Sequence, residues 1–298
     1  MIKYLMLEPT NRCNLNCTFC NRRVVVKKQH DVNIDDWNSI LYKLRKHPVE
    51  VVKVQGLGES YLHSEFDILC EMVRRYFPSS YIISSTNCQY ELGRVFKRSL
   101  KYINLLYLSV DGFEDTYEKF RVGAKWSTLV KFLDDLKHID HGVTDITINY
   151  VVNINNYMDI EKLHTFVSEK YPFISEIRLN IAQWWSENQE LREDYTDDFY
   201  NVLRKYKGNV KGKAPWTYSD CWWPREGFIA DVFGDVRICL LNTTTEPIGN
   251  ILKQPLDEIL NSEKRLKVRK ECEYNTPGRH CWTCDYKRLS AILSKILL

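Results

Sequence analysis

From the N-terminus to about residue 180, short apolar and β-branched runs alternate with stretches of helical period. The runs Lys3–Leu7, Glu50–Gln55, Tyr81–Ser85, Leu105–Ser109, Asp145–Val152 and Glu176–Leu179 predict strands, because such side chains suit a pleated surface. Between them, Asp35–Arg45, Ser64–Tyr76, Ser127–Ile139 and Met158–Glu169 repeat apolar residues at helical spacing, the pattern of helices with one buried face. Strand–helix alternation predicts an α/β fold with a parallel sheet covered by helices. Six such units are two short of a closed eight-stranded barrel, so the expectation is a partial (β/α)6 TIM-like barrel.

The alternation stops from about Trp184 to Gly212. A charged helical stretch, Asp194–Tyr206, gives way to Gly208, Gly212 and Lys213-Ala214-Pro215, which places a boundary between a barrel over residues 1–208 and a small domain over 209–298. The latter contains a predicted hairpin, Gly227–Val232 and Val236–Cys239, turned by Gly234-Asp235. Tryptophans 184, 185, 216, 222 and 223 gather at the join, where they pack a core or stack on a substrate. Arg178, Arg225 and Glu226 are polar candidates for substrate contact, and no residue pair has spacing that marks a general base.

Composition narrows the function. A net charge of +3 over 298 residues is too small to argue for nucleic acid. No apolar run approaches the roughly 18 residues of a membrane span. The opening MIKYLMLEPT is too short in its apolar stretch for a signal peptide and lacks a cleavage site, which predicts a cytoplasmic protein. Ten cysteines in a reducing compartment point to metal ligation rather than disulfides. Cys70 and Cys88 stand alone in apolar segments and read as buried core. The others fall into two groups.

Cys13, Cys17 and Cys20 form a CxxxCxxC loop directly after the first strand. Three thiolates can hold three irons of a [4Fe–4S] cube and leave the fourth open to bind and reduce a ligand. Structural zinc normally takes four protein ligands, and no nearby cysteine or histidine completes a local set, His30 being ten residues away. Ligands in such folds bind at the carboxyl ends of the strands. There the sequence also carries Gly56-Leu57-Gly58-Glu59-Ser60, Ser85-Thr86-Asn87 and Ser109-Val110-Asp111-Gly112.

These residues resemble the radical S-adenosylmethionine (SAM) superfamily, whose signature is CxxxCxxC with an aromatic residue before the last cysteine, here Phe19. The resemblance implies a [4Fe–4S] cluster with an open iron that chelates the methionine part of SAM. It also implies reductive cleavage to a 5′-deoxyadenosyl radical, with electrons from a reductant such as flavodoxin or ferredoxin. The segment from Gly56 to Ser60 is similar to the family's GGEP motif but departs at Leu57 and Ser60. By that likeness Gly56 and Gly58 bring backbone to the methionine ammonium, Glu59 adds charge, and Ser85, Asn87, Ser109 and Asp111 contact the ribose and carboxylate. Arg121 sits where many relatives place an arginine, and is otherwise read as a surface residue.

Cys221, Gly234 with four residues between it and Cys239, and Cys281-x2-Cys284 resemble the SPASM extension in its shorter twitch form. The resemblance implies one auxiliary [4Fe–4S] cluster on Cys221, Cys239, Cys281 and Cys284. Ser290 and Ser294 stand where the full form has cysteines for a second cluster. Four cysteines at this spacing also suit zinc, although the first cluster's company favours iron–sulfur. Cys272 is a spare that could replace one of these four, although its spacing matches no position of the pattern. The layout is similar to that of 2-deoxy-scyllo-inosamine dehydrogenases, which implies dehydrogenation or epimerisation of a small polar sugar, cyclitol or alcohol. A peptide maturase is the alternative, set lower because the chain begins two residues before the first strand and leaves no room for an N-terminal recognition module. A non-catalytic Fe–S or zinc protein is the reading from another class, and the set of rim residues argues against it.

Overall fold

β1 (Tyr4–Leu7) lies inside the sheet, with strands hydrogen-bonded on both sides. In a computed structural model the chain is described at residues 1–183, 195–215, 217–239, 246–276, 284 and 286–298. On one side of β1, β2 (Val51–Val54), β3 (Tyr81–Thr86), β4 (Leu105–Ser109), β5 (Asp145–Val152) and β6 (Ile174–Ile181) follow in sequence order. Every pairing among the six is parallel. Their crossovers carry α1 (Arg22–Val25), α2 (Ile34–Leu44), α3 (Phe66–Tyr76), α4 (Arg94–Ser99), α5 (Asp115–Phe120), α6 (Trp126–Leu136) and α7 (Ile160–Lys170). The partial barrel read from the alternation is therefore present, with β4 and β5 at the expected bounds and β6 longer at both ends.

The strands alternate in burial more strictly than a sheet covered on both faces. Val52, Val54, Leu106, Leu108, Ile146, Ile148, Tyr150 and Val152 lie in one core with Leu41, Leu69, Phe132 and Leu163 of the helices. The intervening positions, Lys53, Tyr107, Asn149, Arg178 and Asn180, are polar and half-buried. An open barrel needs an apolar seal only on its helix side, and its inner face stays available for ligands.

α8 (Asp197–Lys205) follows, capped by Thr196, whose hydroxyl accepts from Phe199 N–H. α9 (Trp223–Glu226) then leads into β7 (Gly227–Ala230). β7 pairs in parallel with β1, Tyr4 opposite Gly227 through Leu7 opposite Ala230. β8 (Asp235–Arg237) folds back antiparallel on β7, and β9 (Gly249–Asn250) on β8. The C-terminal region thus continues the barrel's own sheet, on the free side of β1. The hairpin turn needs Gly234: its φ is +77°, and a Cβ there would lie 2.7 Å from Leu252. α10 (Leu256–Leu260), α11 (Glu263–Glu273) and α12 (Tyr286–Leu297) complete the chain. Among the described residues no helix is long and apolar enough to cross a membrane.

Candidate active site

Parallel strands deliver their following loops to one rim, and the first such loop carries Cys13, Cys17 and Cys20. It is pinned from both sides. Arg12 donates through Nε and Nη2 to Asp31 at 2.8 and 2.5 Å and through Nη2 to the Leu62 carbonyl at 2.9 Å. Across the loop, Asn16 N–H and Thr18 N–H donate to the carbonyls of Val122 and Phe120, both at 2.9 Å. Burial raises the Cys13 thiol and pushes that of Cys17 up to about 12, and the charge of Cys20 adds to both. Yet among the described residues no three His, Cys, Asp or Glu side chains converge on a point one metal ion could occupy. Three soft thiol donors on one short loop are chemically suited to an iron–sulfur cluster.

The glycine-rich loop after β2 rests against this one. A Cβ on Gly58 would fall 2.3 Å from the Thr10 carbonyl oxygen and 2.6 Å from that of Arg12, so only glycine allows the two backbones to touch. Glu59 N–H donates to the Arg12 carbonyl at 2.8 Å. The Glu59 side chain is buried, and its carboxylate accepts from Asn87 N–H at 2.7 Å and Tyr61 N–H at 3.3 Å. Burial pushes its carboxyl up to about 7 against the pull of those donors. Glu59 therefore binds three rim loops together. Gly56 is crowded by Glu8, whose Oε1 accepts from Leu57 N–H at 2.6 Å and whose Oε2 accepts from Val232 N–H at 3.4 Å. Sequence reasoning passed over Glu8; its signal was a lone carboxylate ending an apolar strand.

The loops after β3 and β4 close on the same place. Asn87 Nδ2 donates to Asn14 Oδ1 at 2.7 Å and approaches Cys13 Sγ at 3.8 Å. Cys88 turns the chain there with φ +61°, a left-handed conformation uncommon outside glycine. Asp111 is fully buried and accepts Arg121 Nε and Nη2 on Oδ2 at 2.8 and 2.6 Å, while Oδ1 accepts Val151 N–H at 2.6 Å. Arg121 is 6 % exposed rather than a surface residue; its guanidinium carbon lies 5.9 Å from the centre of the Phe19 ring, and its charge bears on Cys17. Ser85 and Ser109 are half-buried near the ends of β3 and β4. Phe19, Gly58, Glu59, Asn87, Asp111 and Arg121 are thus gathered around the cysteine loop.

Below the rim opens a cavity of about 620 Å³. Phe19, Cys20, Gly56 and Leu57 line it near the cysteine loop, with Ile181, Ala182, Leu289 and Leu293 among its other walls. Trp222, next in sequence to Cys221, also lines it and packs on Tyr4 with ring centres 4.2 Å apart. Tyr4 begins β1, so the cavity extends from the loop at the end of that strand to aromatic rings at its start. A smaller cavity, about 280 Å³, shares Gly56 and Leu57 and is lined by Glu8, Gln55, Asp231 and Arg237.

Of the C-terminal cysteines, Cys221, Cys239 and Cys284 are half-buried. Cys281 lies outside the described residues, as do Trp184, Trp185 and Trp216. Burial pushes the Cys221 thiol up to about 11, with further contributions from Cys272 and Cys284. Cys272, which the pattern leaves unassigned, is buried with its S–H donating to the Cys221 carbonyl at 3.2 Å. Four-thiolate chemistry suits an iron–sulfur cluster, and the described part of the set is consistent with it. Glu226 pairs with Lys3 at 3.4 Å, at the start of β1 and away from the rim. Arg178 donates to Tyr107 Oη at 2.8 Å on the barrel's inner face.

Comparison with known proteins agrees with this geometry. The model of the radical SAM superfamily matches residues 7–167, and that of an iron–sulfur cluster-binding domain, SPASM, matches 221–285. Over 177 residues the chain is 26% identical to a tungsten-containing aldehyde ferredoxin oxidoreductase cofactor-modifying protein of Pyrococcus furiosus; the match covers 56% of this chain and 48% of that one. The chain therefore spans about half the length of that curated relative. Streptococcus suis SuiB bound to precursor peptide SuiA superposes with a TM-score of 0.72 at 17% identity, covering 97% of this chain and 71% of that one. The structure of anSMEcpe with bound AdoMet and Cp18Cys peptide gives 0.71 at 19%, covering 97% and 88%. BtrN in complex with AdoMet and 2-DOIA gives 0.56 at 16%, covering 92% and 88%. At these identities the likeness to solved structures is one of fold.

Proposed function

Because the chain belongs to the radical SAM superfamily, we propose that it oxidises or otherwise alters a side chain of a peptide by hydrogen abstraction. The observation that carries this reading is the wall of the large cavity. Leu57, Ile181, Ala182, Leu289 and Leu293 make much of it apolar. Three polar residues in it are already engaged: Asn180 donates to Asn149 at 2.7 Å, Lys211 pairs with Glu176 at 2.8 Å, and Lys213 pairs with Asp220 at 2.5 Å. A polyhydroxylated ring needs a dense set of free donors and acceptors, whereas an apolar side chain needs only such walls. Two of the structures with the higher TM-scores were also solved with a peptide bound.

Cys13, Cys17 and Cys20 would hold the first cluster, with Gly56, Gly58 and Asn87 beside its SAM, and Cys221, Cys239, Cys281 and Cys284 would hold the auxiliary cluster. When bound, these groups supply a hydrogen-abstracting radical and a second redox centre. The chain's own residues fix geometry. The Asp111–Arg121 pair braces Phe19 and Cys17, Glu59 locks the glycine loop to the rim, and Trp222 walls the cavity beside Cys221. A small reductant protein such as flavodoxin or ferredoxin would serve as electron donor.

The second reading is a dehydrogenase of a small polar molecule. BtrN is the observation behind it, since its structure was solved with 2-DOIA rather than a peptide beside AdoMet. The test is anaerobic incubation of reconstituted protein with SAM, reductant and either the peptide or the small-metabolite fraction of host-cell extract. Extra 5′-deoxyadenosine with the peptide fraction, together with a peptide of altered hydrogen content, supports the peptide reading. Stimulation by the metabolite fraction alone transfers the function to the second reading. Absence of 5′-deoxyadenosine under every condition overturns both.

A further inference from the structure

α11 presents one stripe, Arg265, Val268 and Cys272, to the interior, and all three are buried. Their spacing places them on one face of the helix. That face lies against the segment from Cys221 to Glu226. Arg265 Nη2 donates to the Arg225 carbonyl at 3.4 Å, and Cys272 S–H donates to the Cys221 carbonyl at 3.2 Å. The stripe therefore grips both ends of the segment that holds Cys221 and the cavity-lining Trp222. A thiol is a weak donor, and a fully buried one costs little to replace with an apolar residue unless its direction matters.

We propose that Cys272 is a positioning residue of the auxiliary centre: its S–H fixes the Cys221 backbone, and through it the aim of the Cys221 thiolate and the environment of the cluster. This rests on the reading that Cys221 is a cluster ligand. A donor on the Cys221 carbonyl also draws electron density away from the cluster's surroundings, and hydrogen bonding and local charge set cluster potentials. Removing that donor makes the cluster harder to reduce.

The test uses full-length protein carrying Cys13→Ala, Cys17→Ala and Cys20→Ala, so that the auxiliary cluster is studied alone. Into it are placed Cys272→Ser, which keeps a donor, Cys272→Ala, which removes it, and Val268→Ala, which loosens the same stripe without touching a hydrogen bond. Iron per chain, the electron paramagnetic resonance spectrum of the reduced cluster and its midpoint potential are measured, with thermal unfolding as a control on folding. The expected result is about four irons in all of them. The Cys272→Ala protein should show a changed spectrum and a more negative potential, Cys272→Ser should match the parent, and Val268→Ala should lower the unfolding temperature alone. An unchanged potential in Cys272→Ala, or the same shift in Val268→Ala, overturns the proposal and reduces Cys272 to packing. Loss of iron in both Cys272 variants overturns it in favour of direct ligation. A parent without iron, or with zinc, removes the auxiliary-cluster reading itself and the proposal with it.

Discussion

Arg121 places both Nε and Nη2 on one oxygen of Asp111, at 2.8 and 2.6 Å, with both side chains buried. The pair joins the end of β4 to the cysteine loop, since Phe120 and Val122 beside Arg121 accept hydrogen bonds from that loop. Arg121→Met removes one partner and leaves Asp111 uncompensated. The expected loss is about 3–5 kcal/mol in urea unfolding, the cost of breaking a buried pair from one side. The Asp111→Asn/Arg121→Met double variant should lose less than the sum of the two singles.

Gly58→Ala forces a methyl group onto the backbone of Thr10 and Arg12. Overpacking of this kind costs about 1–3 kcal/mol, and here the strain falls on the cysteine loop. The protein should fold but bind less iron after reconstitution, with SAM cleavage reduced in proportion. Iron and sulfide analysis of the variant beside the parent checks this.

Glu8 gives the stability a pH dependence of definite sign. Burial pushes its carboxyl from 4.5 up to about 7 in the folded chain. Between those values the folded protein keeps a proton that the unfolded chain has released, so stability falls as pH rises through the interval and levels off above it. The share due to Glu8 is about 3 kcal/mol. In Glu8→Gln the fall in unfolding free energy between about pH 5 and 8 should shrink by that order. Glu59 keeps a similar slope of its own. Equal slopes in parent and variant would show that Glu8 is ionised throughout.

Replacing Cys13, Cys17 and Cys20 by alanine should lower bound iron from about eight to about four per chain and abolish 5′-deoxyadenosine formation. Cys70→Ala should leave both unchanged, since Cys70 is fully buried on α3 within the helix-side core. Iron loss in Cys70→Ala would show that a ligand has been misassigned.

Most of the sheet could be read along the chain because its signals are local. The runs Leu105–Ser109 and Asp145–Val152 become β4 and β5 unchanged, and the isolated Cys70 and Cys88 are buried as their apolar surroundings imply. The pairing of β7 with β1 was not legible, because it joins residues more than two hundred positions apart and rests on backbone hydrogen bonds that four-residue strands do not advertise. The meeting of Asp111 with Arg121 was not legible either: ten positions and a helix separate them, and charge alone does not tell a buried partner from a solvated neighbour. Glu59 illustrates a subtler case. Its motif marks it as a ligand residue, whereas its carboxylate accepts from the rim's own backbone. Cys272 carries no pattern at all until α11 brings it to Cys221.

The first cysteine loop leaves β1 at its carboxyl end, and Cys221 enters β7 from its amino end. Those strands are hydrogen-bonded residue for residue over four positions. At about 3.3 Å per residue that ladder is roughly 13 Å long. The first cysteine loop and Cys221 are thus terminals mounted at opposite ends of one stiff spacer. Whatever the substrate, backbone pairing fixes the ladder between these terminals, so any circuit completed across the cavity has that length of sheet built into it.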